Sequence, residues 1–138
     1  MAVVKLLYLA IWFRKHRMGF IAHILDKTIR IIFGCEIFST TKIGTGIELP
    51  HGGLGIVIND NAIIGNNVKI QSCVTIGGKG GPGVPIIEDD VEIGTGAKIL
   101  GKVTVGKGAK IGANAVVIED VPPHSIAVGI PARIIPRT

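Results

Sequence analysis

Aromatic residues, cysteines and long apolar runs are all scarce in this chain of 138 residues. Phe, Trp and Tyr together make up 4% of it, so the core is expected to be filled by Ile, Val and Ala. Two cysteines, Cys35 and Cys73, form neither a metal-ligand spacing nor a disulfide framework, which favours structural roles and a reducing, cytoplasmic location. The apolar run 3–13 is too short to cross a bilayer as a helix, and no small-residue cleavage site follows it.

Charge is also unbalanced, because acidic residues are the scarcer kind. The chain has 15 basic and 10 acidic residues and a net charge of +5. Such an excess suits an anionic partner, either a nucleotide cofactor or a membrane surface, and it is also typical of an ordinary solvated surface. No partner of the nucleic-acid class is predicted. The length accommodates one domain.

The dominant pattern is a strict period of six between residues 87 and 122. The first position of each hexad is always Ile or Val, and the fifth is always Val or Ala. An α-helix would instead repeat its apolar residues at i, i+3, i+4 and i+7. A period of six is typical of a parallel β-helix of short strands, in which three hexads close one triangular coil. The first-position residues, which are predicted to point inward, are Ile87, Ile93, Ile99, Val105, Ile111 and Val117.

Two helices are predicted ahead of the repeat, within residues 1–35. The first covers the apolar run 3–13 and is followed by a basic cluster, an arrangement suited either to lying on a membrane surface or to capping the open end of the β-helix. The second covers 20–33, with an apolar stripe on one side and polar side chains, Asp26 among them, mostly on the other. Gly34 is placed to end it.

The hexads begin at Ile37 and are interrupted twice before residue 122. At the first break Ile58 follows Ile43 by 15 residues, three more than two periods. The second break contains a loop that is rich in Gly and Pro. Because insertions in repeat proteins often build the binding face, the chemistry is expected at these two places. The predicted organisation is a helical region at 1–35, a β-helix of about four coils at 36–122 with a loop at 77–86, and a C-terminal tail at 123–138.

The first break carries His51, which two glycines follow, so that a ligand can approach the backbone closely. A neutral imidazole is well matched to taking a proton from a hydroxyl near pH 7. Such a base needs an acceptor, usually a carboxylate, on its other nitrogen. A histidine that only shapes a turn is the alternative, and His124 is predicted to be a surface residue. The carboxylates within reach by sequence are Glu36, Glu48 and Asp60.

Two long stretches carry a more specific resemblance. The active-site half of the bacterial serine acetyltransferases resembles KIGTGIELPHGGLGIVINDNAIIGNNVKIQSCVTIGG, and their C-terminal half resembles VEIGTGAKILGKVTVGKGAKIGANAVVIEDVPPHSIAVGIPARII. The resemblance covers residues 36–135 and both breaks, and it extends to the O-acetyltransferases of exopolysaccharide synthesis, whose short N-terminal region is similar. It implies an all-β core, a left-handed parallel β-helix of hexapeptide repeats behind a short N-terminal helical region, assembled as a homotrimer.

The resemblance also implies roles for individual residues. The family's general base falls on His51, and its carboxylate partner falls on Glu36, fifteen residues earlier. The implied reaction is direct acetyl transfer with acetyl-CoA as co-substrate and no metal, in which His51 deprotonates an acceptor hydroxyl. The family's contacts to acetyl-CoA fall on Gly78, Thr95, Lys110 and Ala113, and Arg133 is placed to help hold the CoA phosphates.

The acceptor is predicted from the polar residues that this chain lacks. The positions that hold serine in the family fall on Pro50, Gly83 and Val84, which lack the polar groups that a zwitterionic amino acid requires. A sugar or polysaccharide precursor is therefore the predicted acceptor, with L-serine as the alternative. A non-catalytic β-helix that acts as a scaffold or binding module is the alternative of another class. The N-terminal helix would allow peripheral contact with the inner face of the membrane.

Overall fold

The chain begins with two helices and continues as a prism of short strands, in a computed structural model that describes residues 1–136. Helix α1 spans Ala2–Lys15 and α2 spans Gly19–Phe33. The strands are short because each occupies one flat side of the prism between two corners. They are β1 (Lys42–Ile43), β2 (Val57–Ile58), β3 (Ile63–Ile64), β4 (Lys69–Ile70), β5 (Thr75–Gly77), β6 (Ile86–Ile87), β7 (Glu92–Ile93), β8 (Lys98–Leu100), β9 (Thr104–Val105), β10 (Lys110–Ile111), β11 (Val116–Val117), β12 (Ile126–Val128) and β13 (Arg133–Ile135).

The strands form three sheets, one on each side of the prism. Sheet A contains β2, β5, β8 and β11, and sheet B contains β1, β3, β6 and β9. Sheet C contains β4, β7, β10 and β12, and β13 joins it antiparallel to β12. All other strand pairs are parallel, and the chain visits the sides in the order B, C, A. The architecture is the predicted left-handed parallel β-helix, and the predicted C-terminal tail contributes two more strands to it, β12 and β13.

The strand register shows how many residues each interruption adds to the repeat. In an uninterrupted coil the paired residues are eighteen apart, as for Lys98 and Val116. Across the first break Lys42 pairs with Ile63, which is 21 residues later. Across the second break Thr75 pairs with Lys98, which is 23 residues later. The fold therefore accommodates three extra residues at the first break and five at the second, and the coils on either side stay aligned.

The column of aliphatic side chains predicted to point inward is the core of the prism. Every first-position side chain between residues 87 and 122 is at most 3% exposed, and Ile99 is completely buried. Burying such a side chain is worth about 1.5–3 kcal/mol relative to leaving it in water. The coils also stack closely: a Cβ atom on Gly94 would lie 2.6 Å from the backbone nitrogen of Ala113 in the next coil. Glycine at the second position of that hexad is therefore required by packing.

The corners depend on a backbone feature that the hydrophobic period does not predict. Where the chain turns from sheet B to C and from C to A, one residue has a φ angle between 55° and 75°. Glycine adopts this left-handed region freely, and Asn, Asp and His adopt it more readily than other residues. The corner residues are Gly46, Gly55, Asn67, Cys73, Asp90, Gly96, Gly108, Asn114 and His124.

Both helices pack against the first coil, and α2 does so with an unexpected face. The prediction that Asp26 lies opposite the packed side of α2 is wrong, because Asp26 is buried at 8% exposure beside Ile29. Its carboxylate accepts hydrogen bonds from the backbone N–H and the hydroxyl of Ser39, at 3.0 and 2.7 Å, and lies 3.3 Å from the guanidinium of Arg14. These donors offset the cost of burying the charge. No helix within residues 1–136 is long and apolar enough to cross a membrane.

Candidate active site

The three inserted residues of the first break lie at the corner between sheet C and sheet A. Pro50–Gly53 forms one turn of 3₁₀ helix between the buried Leu49 and the start of β2. Inside this turn His51 has a φ angle of 59°, in the left-handed region that costs a non-glycine residue about 1–2 kcal/mol. The histidine is exposed at the corner. An inserted, strained and exposed histidine is the kind of feature that marks a functional site.

The turn is held firmly against the first coil. Gly53 is buried, and a Cβ atom placed on it would lie 3.4 Å from the sulfur of Cys35. Just after the turn, the backbone N–H of Gly55 donates to the carbonyl of Gly34 at 2.9 Å. The inserted residues are therefore anchored on the prism, and His51 projects from a fixed position.

Glu36 lies on the first coil, on the side of sheet A, where its backbone bridges to Val57. Its carboxylate is 3.3 Å from the guanidinium of Arg30, and no hydrogen bond joins it to His51 within the described chain. The side chains of Arg30 and Glu36 are 66% and 34% exposed, so their pairing is worth at most about 1 kcal/mol. Glu36 and His51 thus lie near the first coil without touching. The adjoining cleft of about 250 Å³ is lined by Arg30, Gly34, Cys35, Glu36, Ile56 and Val57.

Two of the residues predicted to contact acetyl-CoA lie at the same corner as His51. Thr95 is two coils further along and Ala113 is three, and both are exposed. The hydroxyl of Thr95 is 3.2 Å from that of Ser72, and its carbonyl accepts from the N–H of Asn114 at 2.8 Å. One edge of the prism therefore carries His51, Thr95 and Ala113 in a line.

The other three predicted contacts lie elsewhere on the prism. Lys110 is on sheet C, where its ammonium is 3.2 Å from Glu92. Arg133 is exposed on β13, at the edge of the same sheet. Gly78 begins the second interruption, at the corner between sheets A and B, and a Cβ atom on it would meet nothing within 4 Å. Within one chain, Gly78 therefore lies on a different edge of the prism from His51.

Lys98 is a residue of this edge that the sequence reasoning missed. Its ammonium donates to the carbonyls of Cys73 and Gly96, each at 2.9 Å, and so ties two neighbouring coils together at the corner. Backbone carbonyls leave no mark in the residue pattern, so nothing in the sequence pointed to this role. Lys98 stiffens the corner on which Thr95 lies.

The two cysteines differ in burial, since Cys35 is buried and Cys73 is exposed. Burial raises the pKa of the Cys35 thiol to about 11, so the thiol stays protonated near neutral pH. Cys73 occupies a corner position with a φ angle of 60°. Within residues 1–136, no three side chains of the His, Cys, Asp and Glu types are grouped closely enough to hold a metal ion.

Comparison with known proteins finds bacterial hexapeptide transferases and serine acetyltransferases. The hexapeptide family of bacterial transferases, described as six repeats, matches residues 85–119. Serine acetyltransferase of Bacillus pumilus is 47% identical over 126 residues, which cover 89% of this chain and 58% of that protein. Soybean serine acetyltransferase complexed with serine has a TM-score of 0.87 at 40% identity, over 96% of this chain and 56% of its own. A serine acetyltransferase in complex with CoA gives 0.87 at 38%, over 96% and 55%.

This chain therefore spans a little over half the length of these relatives, and the matched part includes the helices, the prism and both breaks. In sequence and structure the chain is serine acetyltransferase-like, and it carries the hexapeptide repeat of the bacterial transferases.

Proposed function

We propose that this chain is an acyltransferase that moves the acetyl group of acetyl-CoA to the hydroxyl of L-serine. The observation that carries the proposal is the inserted turn, which anchors His51 in an exposed position at a corner of a serine acetyltransferase-like prism. A scaffold protein would need the regular coils, but it would have no use for a strained histidine at their edge.

The proposed acceptor follows the relatives rather than the sequence argument from missing polar residues. The predicted sugar acceptor finds no support among them, and L-serine, the alternative, is better supported, since they are serine acetyltransferases and one holds serine. Pro50, Gly83 and Val84 still offer no polar side chain to the charged groups of an amino acid. We therefore expect the KM for L-serine to be higher than in an enzyme that has polar groups at those three positions.

In the proposed reaction His51 acts as the general base. A ring nitrogen takes the proton of the serine hydroxyl while the oxygen attacks the thioester carbonyl. A C–O bond forms, the C–S bond breaks, and the CoA sulfur leaves and receives the proton back from the imidazolium. Glu36 would orient the ring through its other nitrogen. Its present contact with Arg30 is solvent-exposed and weak, so exchanging that partner for His51 costs little.

We also propose that acetyl-CoA binds between two prisms of a homotrimer. Thr95 and Ala113 lie at the corner of sheets C and A, whereas Gly78 lies at the corner of sheets A and B. A ligand that contacts all three positions therefore needs edges from two neighbouring chains. The half-buried Lys110 and the exposed Arg133, on the sheet next to the first of these edges, suit the phosphates of the same ligand.

The direct test is release of free thiol from acetyl-CoA with L-serine and with a panel of sugars. We expect turnover with L-serine, and we expect His51→Ala to lower it by about 10²–10⁴-fold with an unchanged circular dichroism spectrum. His124→Ala is the matched control, because His124 is also an exposed histidine at positive φ. Turnover with a sugar and none with serine would overturn the acceptor. No thiol release with any acceptor would overturn the enzyme and favour a scaffold.

Mixing two inactive variants tests the shared site. We expect His51→Ala and Gly78→Trp to be inactive alone and to regain activity when their subunits are exchanged. In mixed trimers an intact His51 edge meets an intact Gly78 edge from another chain. A stable monomer in light scattering at micromolar concentration, or a mixture without recovered activity, would contradict this arrangement.

A further inference from the structure

Charge divides this protein into two unlike regions. Residues 1–35 contain six basic residues and one acidic residue, whereas residues 36–138 contain nine of each. The helical region therefore carries the whole net charge of +5, and the remainder of the chain is neutral overall. The single acid of the helical region, Asp26, pairs with Arg14, and Arg30 pairs with Glu36, so four of the six basic residues are left without an ion pair in the described part of the chain.

The side of α2 that faces away from the prism is apolar. Phe20, Ile24 and Ile31 are 79%, 48% and 82% exposed. Their spacing of four and seven residues puts them on one stripe, opposite the buried stripe of the same helix. In α1, Leu9 and Trp12 are 44% and 47% exposed. We refer to these five residues as the helical face.

Exposed cations lie on the same two helices and on the turn between them. Lys5, Lys15, Arg17 and Lys27 are all exposed, and within residues 1–136 none of them forms an ion pair. Lys27 lies between Ile24 and Ile31 along the outward stripe of α2. The two helices thus combine large apolar side chains with basic ones and expose no acid. Such a surface is attracted to anionic lipid.

We propose that the helical face docks in the plane of an anionic lipid bilayer. The apolar side chains would enter the boundary between headgroups and acyl chains, and the cations would lie at the level of the lipid phosphates and carboxylates. A second copy of the chain is a poorer occupant. Face-to-face packing of two copies would bring together two surfaces that each carry four exposed cations without an ion pair to any described residue, and like charges oppose such contact.

The test uses the full chain with vesicles of phosphatidylcholine alone and with 30% phosphatidylserine, followed by co-sedimentation. Trp12 is the only tryptophan and lies on the helical face, so its emission reports docking directly. We expect binding and a blue shift of emission with the anionic vesicles only, and we expect raised salt to reverse both. The proposal is overturned if the chain stays in the supernatant with both kinds of vesicle, or if it binds both equally.

Two variants and a control separate the apolar and charged contributions. Phe20→Ser with Ile31→Ser should weaken the partition coefficient by about a hundredfold or more. Arg17→Gln with Lys27→Gln should weaken it by about 25-fold, since each basic residue near the surface contributes about fivefold. Lys102→Gln with Lys107→Gln removes the same charge from the prism and should leave binding nearly unchanged.

The same variants test whether a second copy of the chain, rather than a membrane, occupies the helical face. They also separate membrane binding from the proposed enzyme activity. All four substituted positions are exposed, so thermal melting and thiol release should be unchanged. If Phe20→Ser with Ile31→Ser breaks an oligomer while the parent chain ignores anionic vesicles, the face is a contact between copies and the membrane proposal is wrong.

Discussion

The two interruptions of the repeat differ in how the prism holds them. The first adds three residues and stays pressed against the first coil, with Gly53 buried beside Cys35. The second adds five, and its first part stands clear, since a Cβ atom on Gly78 or Gly80 would meet nothing within 4 Å, whereas one on Gly83 would meet the side chain of Lys102. The tight insertion fixes a side chain in space, and the open one leaves a backbone accessible. The prism thus accommodates two kinds of inserted segment without losing its register.

The largest effect should come from neither interruption but from the regular coils that follow them. Ile99→Asp would place a carboxylate without partners in the aliphatic column, at a site with no exposure. Burying an unpaired charge costs several kcal/mol or more, which is comparable to the whole stability of a small domain. We expect loss of the cooperative melting transition. Ile63→Asp, at a position that is 39% exposed, is the control, and a normal melting curve for Ile99→Asp would contradict the inward register.

Deleting residues 51–53 tests whether the tight insertion serves activity alone. The deletion restores the period of six, so the coils should stack as before and the melting temperature should be retained. Acetyl transfer should fall to background, because the proposed base is gone. A matched deletion of residues 80–82 from the open loop should keep both the fold and measurable turnover. Activity in the first variant would remove His51 from the mechanism.

Substitution of two glycines that have similar φ angles allows a direct comparison of the tight and open insertions. Gly53 has a φ angle of 75° and Gly80 one of 77°, so valine is strained at both by about 1–2 kcal/mol. At Gly53 the new side chain also meets Cys35, and overpacking adds to the strain. We expect Gly53→Val to lose about 3 kcal/mol in denaturant unfolding and Gly80→Val to lose less than half of that. Equal losses would mean that the two insertions are held alike.

The smallest effect on stability is expected at the ion pair beside the tight insertion. Arg30→Gln should change the free energy of unfolding by less than about 1 kcal/mol, because the pair with Glu36 is exposed. The two partners should differ in kinetics: Glu36→Gln should lower kcat with little change in KM, and Arg30→Gln should not. Equal kcat values for Glu36→Gln and the parent chain would remove Glu36 from the proposed dyad.

Periodicity alone predicted the prism and its core, because a six-residue repeat has one arrangement in which all first positions are buried together. The corner conformation was encoded as well, in Gly, Asn and Asp at the fourth position, but Cys73 and His124 occupy the same position and hide that pattern. The face of α2 could not be predicted from its own residues. Asp26 is buried only because Arg14 and Ser39, far away in sequence, supply its hydrogen bonds.

For the candidate site, the sequence predicted residues but not distances. His51 stood out because its neighbours break the repeat, and its anchoring could be understood only once Gly53 was found against Cys35. The present pairing of Glu36 with Arg30 depends on where α2 ends relative to the first coil. Such contacts between segments of different period leave no regular signal in a sequence.

The short separation of strand partners along the chain also governs how it folds. Each new parallel strand bonds to one laid down 16 to 23 residues earlier. No pairing must wait for a distant segment, so loop closure is inexpensive at every step and the prism can extend one coil at a time. During synthesis the two helices emerge before the prism, and their contacts with the first coil give later coils a finished template. The chain can therefore assemble in the direction in which it is made.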